Sequence, residues 1–330
     1  MIELTEKLVG AYGPSGFEET IRELIREEVA PYADELSVDP MGSLIALKKG
    51  DGSGLKVMIA AHMDEIGVMA THITEKGFLR FTNIGGVFPH NLMGARVQFA
   101  NGTMGVVYSE KLDSWKKIYG LDKHYIDVGA SSPEDCPVEV GAAAGFVRPF
   151  MVQGSRMTSK AMDDRIGCVV GIEALKQLSE TPHDVYFVFS VQEEVGTRGA
   201  ASAANGLEAD VGIALDVTGT GDTPEGNTMA VKLGGGPAIK VKDGGMIAHA
   251  GLVKLMRQRA EEADMAYQLE VLTGGTTDAR SMQVAGPGCA AGCISIPSRY
   301  IHSQSETVDI GDVEGCVNLL LEILRKPIEL

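Results

Sequence analysis

Residues 56–64 read KVMIAAHMD, and this run decides the fold. The apolar stretch from Val57 to Ala61 is short and bounded by polar residues, the pattern of a strand buried on both faces. It ends on His62 and Asp64, alternate positions that share one face of a strand. Two more runs end in the same way: DVYFVFSVQEE (184–194) arrives at Glu193 and Glu194, and ADVGIALDVT (209–218) carries Asp216 near its end. YQLEVL (267–272) and CAAGCISIP (289–297) also read as strands. Between these runs lie DDRIGCVVGIEALKQL (163–178), AHAGLVKLMRQRAEEA (248–263), TTDARSMQV (276–284) and VEGCVNLLLEILRK (313–326), all with helical patterns. Strand and helix in alternation predict an α/β domain, a mixed sheet flanked by helices, which binds ligands at the carboxyl ends of its strands. Nearer the N-terminus, Ser15 and Glu18 form a capping-box signature that predicts a helix from about Phe17 to Ala30. Short strands follow at LSVD (36–39) and SLIALKK (43–49).

From about Gly67 to Thr158 the alternation stops. ARVQFANGTMGVVYSE (95–110) is two alternating runs joined by Asn101-Gly102, the dipeptide that a type I′ hairpin turn prefers. On this pattern, residues 1–66 and 159–330 are expected to form the α/β domain, and residues 67–158 an inserted, β-rich, barrel-like module. VFPHNLMGARVQF (87–99) offers apolar β surface with no helix to cover it, so the module is expected to bury that surface against another copy.

The chain has 330 residues, more than the roughly 250–300 at which one core stops growing. Its net charge of −16 repels phosphate backbones and anionic lipid, which excludes nucleic acid and membrane surfaces as partners. No basic and apolar leader opens the sequence and no run of about 20 apolar residues occurs, so a soluble cytoplasmic protein is expected. The 5 cysteines are odd in number and scattered, which suits reduced thiols.

Asp163-Asp164 opens one predicted helix, and His302 lies in a Ser-rich turn beyond the last strand. With His62, Glu194 and Asp216 they supply two imidazoles and three carboxylates, enough for two divalent ions if one carboxylate bridges. Asp64 can receive the second ring N–H of His62 and fix its tautomer. Glu193 remains beside a ligand, and it shares the site only if the chain bends at VGTRG (195–199). Each feature also has a structural reading: His-x-Asp as a hydrogen-bonded pair, adjacent glutamates as solvated surface, Asp-Asp as a helix cap. The repeated arrival of such groups at strand ends favours ligands.

At these residues the chain resembles the M42 metallo-aminopeptidases. AHMDEIG (61–67), KAMDDRIGC (160–168), VQEEVGTRGA (191–200), ALDVT (214–218), GGTTDA (274–279) and IHSQSET (301–307) follow that family's order and spacing along essentially the whole chain. The resemblance implies a zinc-peptidase-like catalytic domain that removes N-terminal residues from peptides. It implies one metal on His62, Asp163 and Glu194 and a second on Asp163, Asp216 and His302, with Asp163 as bridge, Asp64 behind His62 and Glu193 as catalytic base. It further implies a cis peptide at Asp163-Asp164, two ions per subunit (zinc or cobalt, with manganese also suited), and dimers that build a tetrahedral dodecamer. The loop around His90 is implied to reach a neighbouring subunit's site. Arg165, Arg198, Arg257 and Lys254 are the cations that could select an acidic substrate side chain, and none is marked as facing it, so neutral aliphatic residues are the expected substrates. A related deacylase or carboxypeptidase, and an endoglucanase-like glycosidase, are the competing readings.

Overall fold

The computed structural model describes residues 1–114 and 116–330. Helices α1 (Ile2–Gly10) and α2 (Glu19–Val29) lead into strands β1 (Glu35–Val38), β2 (Leu44–Lys48) and β3 (Lys56–His62). Six short strands follow: β4 (Gly67–Ile73), β5 (Leu79–Ile84), β6 (Arg96–Phe99), β7 (Met104–Ser109), β8 (His124–Asp127) and β9 (Ala143–Phe146). The rest comprises β10 (Met151–Gln153), β11 (Arg156–Ser159), α3 (Met162–Gln177), β12 (Asp184–Ser190), α4 (Arg198–Leu207), β13 (Val211–Thr218) and β14 (Ala238–Lys242). After these come α5 (Ala250–Glu262), β15 (Gln268–Val271), α6 (Asp278–Val284), β16 (Ala290–Arg299), β17 (Glu306–Asp309) and α7 (Ile310–Leu324).

An 11-stranded mixed sheet runs in the order β1-β2-β12-β3-β13-β16-β17-β11-β10, with β14 and β15 branching from β16. Its centre, β12-β3-β13-β16, is parallel. Residues of β3 show why both faces are covered. Val57, Ile59 and Ala61 join a core with α1, α2, α3 and α7, while Met58 and Ala60 pack with Ala200 and Ala203 of α4 and Met282 of α6. Small side chains on the second face let α4 and α6 approach closely. Burying each larger apolar side chain contributes roughly 1.5–3 kcal/mol, enough to hold the strand ends in register.

The inserted strands close into a six-stranded barrel, β4-β5-β8-β7-β6-β9, with its own core of Val68, Leu79, Val97, Phe99, Val107, Ile126 and Phe146. Three details depart from the sequence reading. First, β10 and β11 pair with the main sheet through β17, so residues 151–158 join the α/β sheet and not the barrel. Second, β6 and β7 form the expected hairpin, but Gly102 N–H donates to the Phe99 carbonyl and only Gly102 of the connection has positive φ, at 85°. That is a type I turn closed by a left-handed glycine, the three-residue alternative to a type I′ turn. Third, Leu92, Val97 and Phe99 point into the barrel, leaving Phe88 and Met93 as the exposed apolar residues of 87–99. The outer face of β7 adds Met104, Val106 and Tyr108. Helices α1 and α4 were not expected from the sequence. Among the described residues, no helix is long and apolar enough to cross a membrane.

Candidate metal centre

The three parallel strands β3, β12 and β13 end at one edge of the sheet, and their last residues meet the start of α3 and the turn before β17. A cavity of about 320 Å³ opens there, lined by Asp163, Glu193, Glu194, Asp216 and His302. Asp163 touches both imidazoles, one through each carboxylate oxygen: Oδ1 lies 3.0 Å from His62 Nε2, and Oδ2 lies 3.3 Å from His302 Nε2. His302 Nε2 is also 3.2 Å from Glu194 Oε2. His62, Asp163 and Glu194 form one group with ligand atoms within 4.8 Å of one another, and His62, Asp164 and Asp216 form another. The first group is the first implied ligand set; His302 in addition faces Glu194, and Asp216 lies with His62 and Asp164.

The adjacent aspartates divide the two roles that the sequence left open. The Asp163-Asp164 peptide is cis, and both residues have non-helical backbone angles at the mouth of α3. Asp163 turns into the site. Asp164 is wholly buried, accepts from the backbone N–H of His62 at 3.2 Å and of Gly167 at 3.2 Å, and so caps the helix while pinning the end of β3.

Glu193 and Glu194 share the site because β12 stops at Ser190 and the chain bends. Gln192 takes a φ of 55° and Gly196 one of 125°, and the Glu193 carbonyl accepts from Gly196 and Thr197. Asp64 holds the bend from below, accepting from the N–H of Glu193 at 3.0 Å and of Glu194 at 3.2 Å, and from the Ser15 hydroxyl at 2.6 Å. Its carboxylate is 3.5 Å from His62 Nδ1, while the Asp64 backbone carbonyl is nearer at 3.2 Å. The ring is therefore oriented mainly by main chain, and the Asp64 side chain serves the glutamates.

Sequence reading missed several supports. Ser15 and Glu18 do not form a capping box; Glu18 accepts from Gly16 at 2.7 Å and from Gln192 at 3.1 Å, reaching across to the bend. Buried Glu306 accepts from the N–H of Asp163 at 2.9 Å and of His302 at 2.8 Å, so one carboxylate positions two site residues. Its presence in the IHSQSET run was the available signal. Of the cations considered, Arg165 is buried against Glu65 and the Leu8 carbonyl, and Lys254 lines a separate cavity near the C-terminus. Lys240 lines the site instead, its Nζ 2.5 Å from Glu270 Oε1, which also accepts from Thr218 at 2.7 Å.

Electrostatics fit divalent cations. Burial, reinforced by neighbouring carboxylates, raises the pKa of Glu194 and pushes those of Glu193 and Asp216 well above the usual carboxylate range. Burial alone would depress His302, but Asp163 and Glu194 outweigh it and lift the imidazole to about 11. Among the described residues, Glu194 Oε1 is buried without a hydrogen-bond partner, an oxygen that a cation would satisfy. Imidazole and carboxylate donors without thiolate suit zinc, cobalt or manganese.

Comparisons with known proteins agree with this architecture. The M42 glutamyl aminopeptidase family model matches residues 42–319. A putative aminopeptidase of Acetivibrio thermocellus is 49% identical over 327 residues, covering 98% of each chain. An aminopeptidase from the archaeon Desulfurococcus kamchatkensis superposes with a TM-score of 0.95 at 41% identity, covering 98% of this chain and 94% of that one. The TET1 peptidase of Pyrococcus horikoshii, described as able to assemble into a tetrahedron or a large octahedral shell, superposes at 0.89 with 34% identity, covering 98% and 99%. With the family matched along most of its length and the same fold throughout, the chain belongs to the M42 family of aminopeptidases.

Proposed function

We propose that this aminopeptidase hydrolyses the N-terminal residue of peptides at a centre for two divalent ions, held by His62, Asp163, Glu194, Asp216 and His302, with Glu193 as the general base. The observation that carries the reading is the Asp163 carboxylate, which offers one oxygen to each imidazole with Glu194 and Asp216 alongside. In this reading Asp163 would serve both ions, Glu194 and His302 would hold one, and His62 and Asp216 would hold the other, a grouping supported by the contact between His302 and Glu194. Bound divalent ions supply Lewis acidity, activating water near neutral pH and polarising a carbonyl.

Glu193 lines the cavity with Oε2 3.9 Å from His62 Nε2 and makes no close contact with either imidazole, so its carboxylate is free to take a proton from an attacking water. The same carboxyl group then returns the proton to the leaving amine. Asp64 keeps Glu193 in place through the backbone. Val217, Leu272 and Ile301 line the cavity, and the charge of Lys240 is cancelled by Glu270. That lining favours a neutral aliphatic N-terminal side chain. The barrel, by its exposed Phe88, Met93, Met104, Val106 and Tyr108, is the surface through which copies associate, as dimers within a tetrahedral dodecamer.

The deciding experiment compares leucine anilide with N-acetyl-leucine anilide before and after chelation. Hydrolysis of the free amine alone, lost on chelation and restored by zinc, cobalt or manganese, supports the reading. Full activity in a sample shown metal-free by elemental analysis refutes it.

A further inference from the structure

The inserted barrel is more than a neighbour of the metal centre. Its segment from Gly85 to Asn91, between β5 and β6, lies directly on two of the residues assigned above as ligands. A Cβ on Gly85 would stand 3.0 Å from Glu194 Cβ and 3.0 Å from its Oε2, and the residue's φ of 72° also favours glycine. A Cβ on Gly86 would overlap the His302 ring, with Nδ1, Cε1 and Cγ as the nearest atoms. Phe88 covers the same imidazole, with ring centroids 6.1 Å apart, and His90 stacks on Phe88 at 5.7 Å. Asn91 Nδ2 donates to the His302 carbonyl at 3.2 Å, and Gln304 Nε2 donates to the Asn91 carbonyl at 2.8 Å.

His302 belongs to a turn, with a φ of 61°, and has no helix or strand to hold it. Its N–H is fixed by Glu306, its carbonyl by Asn91, and its ring is confined between Asp163 and Glu194 on one side and Gly86 and Phe88 on the other. Two of these four restraints come from the barrel. We infer that the barrel segment 85–91 is a built-in part of the metal centre, with Gly86 and Phe88 as positioning residues that set the His302 imidazole for its ion. This rests on the dinuclear reading above.

The test is Gly86→Ala in the full chain, stripped with chelator and titrated with cobalt(II). The readouts are bound ions per subunit, the visible cobalt bands of each site, and the melting temperature of the stripped protein. The wild type is expected to bind two ions. Gly86→Ala is expected to bind one as the wild type does and the other at least about 10-fold more weakly, the scale at which groups behind a ligand act. The stripped melting temperature should stay near the wild type's. Phe88→Ala, which adds no atoms and so avoids a clash in folding, should weaken the same ion in the same direction. Unchanged binding of both ions in the two variants, or equal weakening of both, overturns the inference. A wild type that binds no pair of ions overturns the dinuclear reading instead, and this inference falls with it.

Discussion

Single carboxylates at this site are distinguished by what they touch. Glu193 and Glu194 are chain neighbours, yet Glu194 Oε2 faces His302 at 3.2 Å while Glu193 stays 3.9 Å from His62. Glu193→Gln is therefore expected to retain both ions by elemental analysis while kcat falls about 100-fold or more, the usual scale of general acid–base catalysis. Glu194→Gln should lose an ion; the opposite outcome would exchange the two assignments. A second residue-scale expectation follows from the buried Lys240–Glu270 pair. Glu270→Gln leaves the Lys240 ammonium uncompensated beside the cavity, so the kcat/KM ratio of glutamyl to leucyl anilide should rise. Lys240→Met leaves the Glu270 carboxylate behind, and the lysyl to leucyl ratio should rise. If neither ratio moves, the pair serves packing and not selection.

At the scale of elements, the site depends on how strands end. β3 and β12 run side by side, with Ser190 paired to His62, and both stop where their backbone groups are taken over by buried acids. Asp164 takes the His62 N–H, Asp64 takes those of Glu193 and Glu194, and Glu306 takes those of Asp163 and His302. Each such acid fixes segments far apart in sequence, so its loss moves a ligand and does not merely remove a contact. Glu306→Gln, which keeps the shape and weakens the acceptor, should lower metal affinity about 10- to 100-fold while the fold persists, as read by metal titration and circular dichroism. Affinity equal to the wild type's would show that the turn holds His302 without it.

For the whole molecule, the relevant surface is the barrel. Its own core absorbs Leu92, Val97 and Phe99, so the remaining exposed apolar groups, led by Phe88 and the β7 row Met104, Val106 and Tyr108, lie outside that core. Exposed apolar groups of this kind are the proposed contact between copies, and closed symmetric assembly is the usual outcome of such contacts. Light scattering on metal-replete protein should give about twelve times the 35.0 kDa chain mass. A mass near twice that of the chain would leave only the dimer, and a monomer mass would remove the interface. Val106→Asp, on the outer face of β7, should shift the distribution toward smaller species if this row is buried between copies.

The amino-acid sequence by itself determined where the chemistry gathers. Short apolar, β-branched and aromatic runs such as 57–61 and 185–189 read as buried strands, and the polar residues at their ends are placed at one sheet edge by the parallel connections that intervening helices require. It also showed the insertion, because period-two patterns replace helical ones there. Tertiary structure alone decided which acid meets which imidazole. His62 and Asp163 are 101 residues apart, and no local pattern states that Asp163 touches both histidines or that Glu194 faces His302. The same holds for Ser15 and Glu18, whose local capping signature lost to hydrogen bonds with Asp64 and Gln192. A cap satisfies exposed helix N–H groups that water can also reach, whereas the buried Asp64 carboxylate and the N–H of the bend have no such alternative. β11 joined the sheet for a related reason: β17 offers it a full ladder of backbone partners, and β10 follows by pairing with β11, none of which their own sequence reveals.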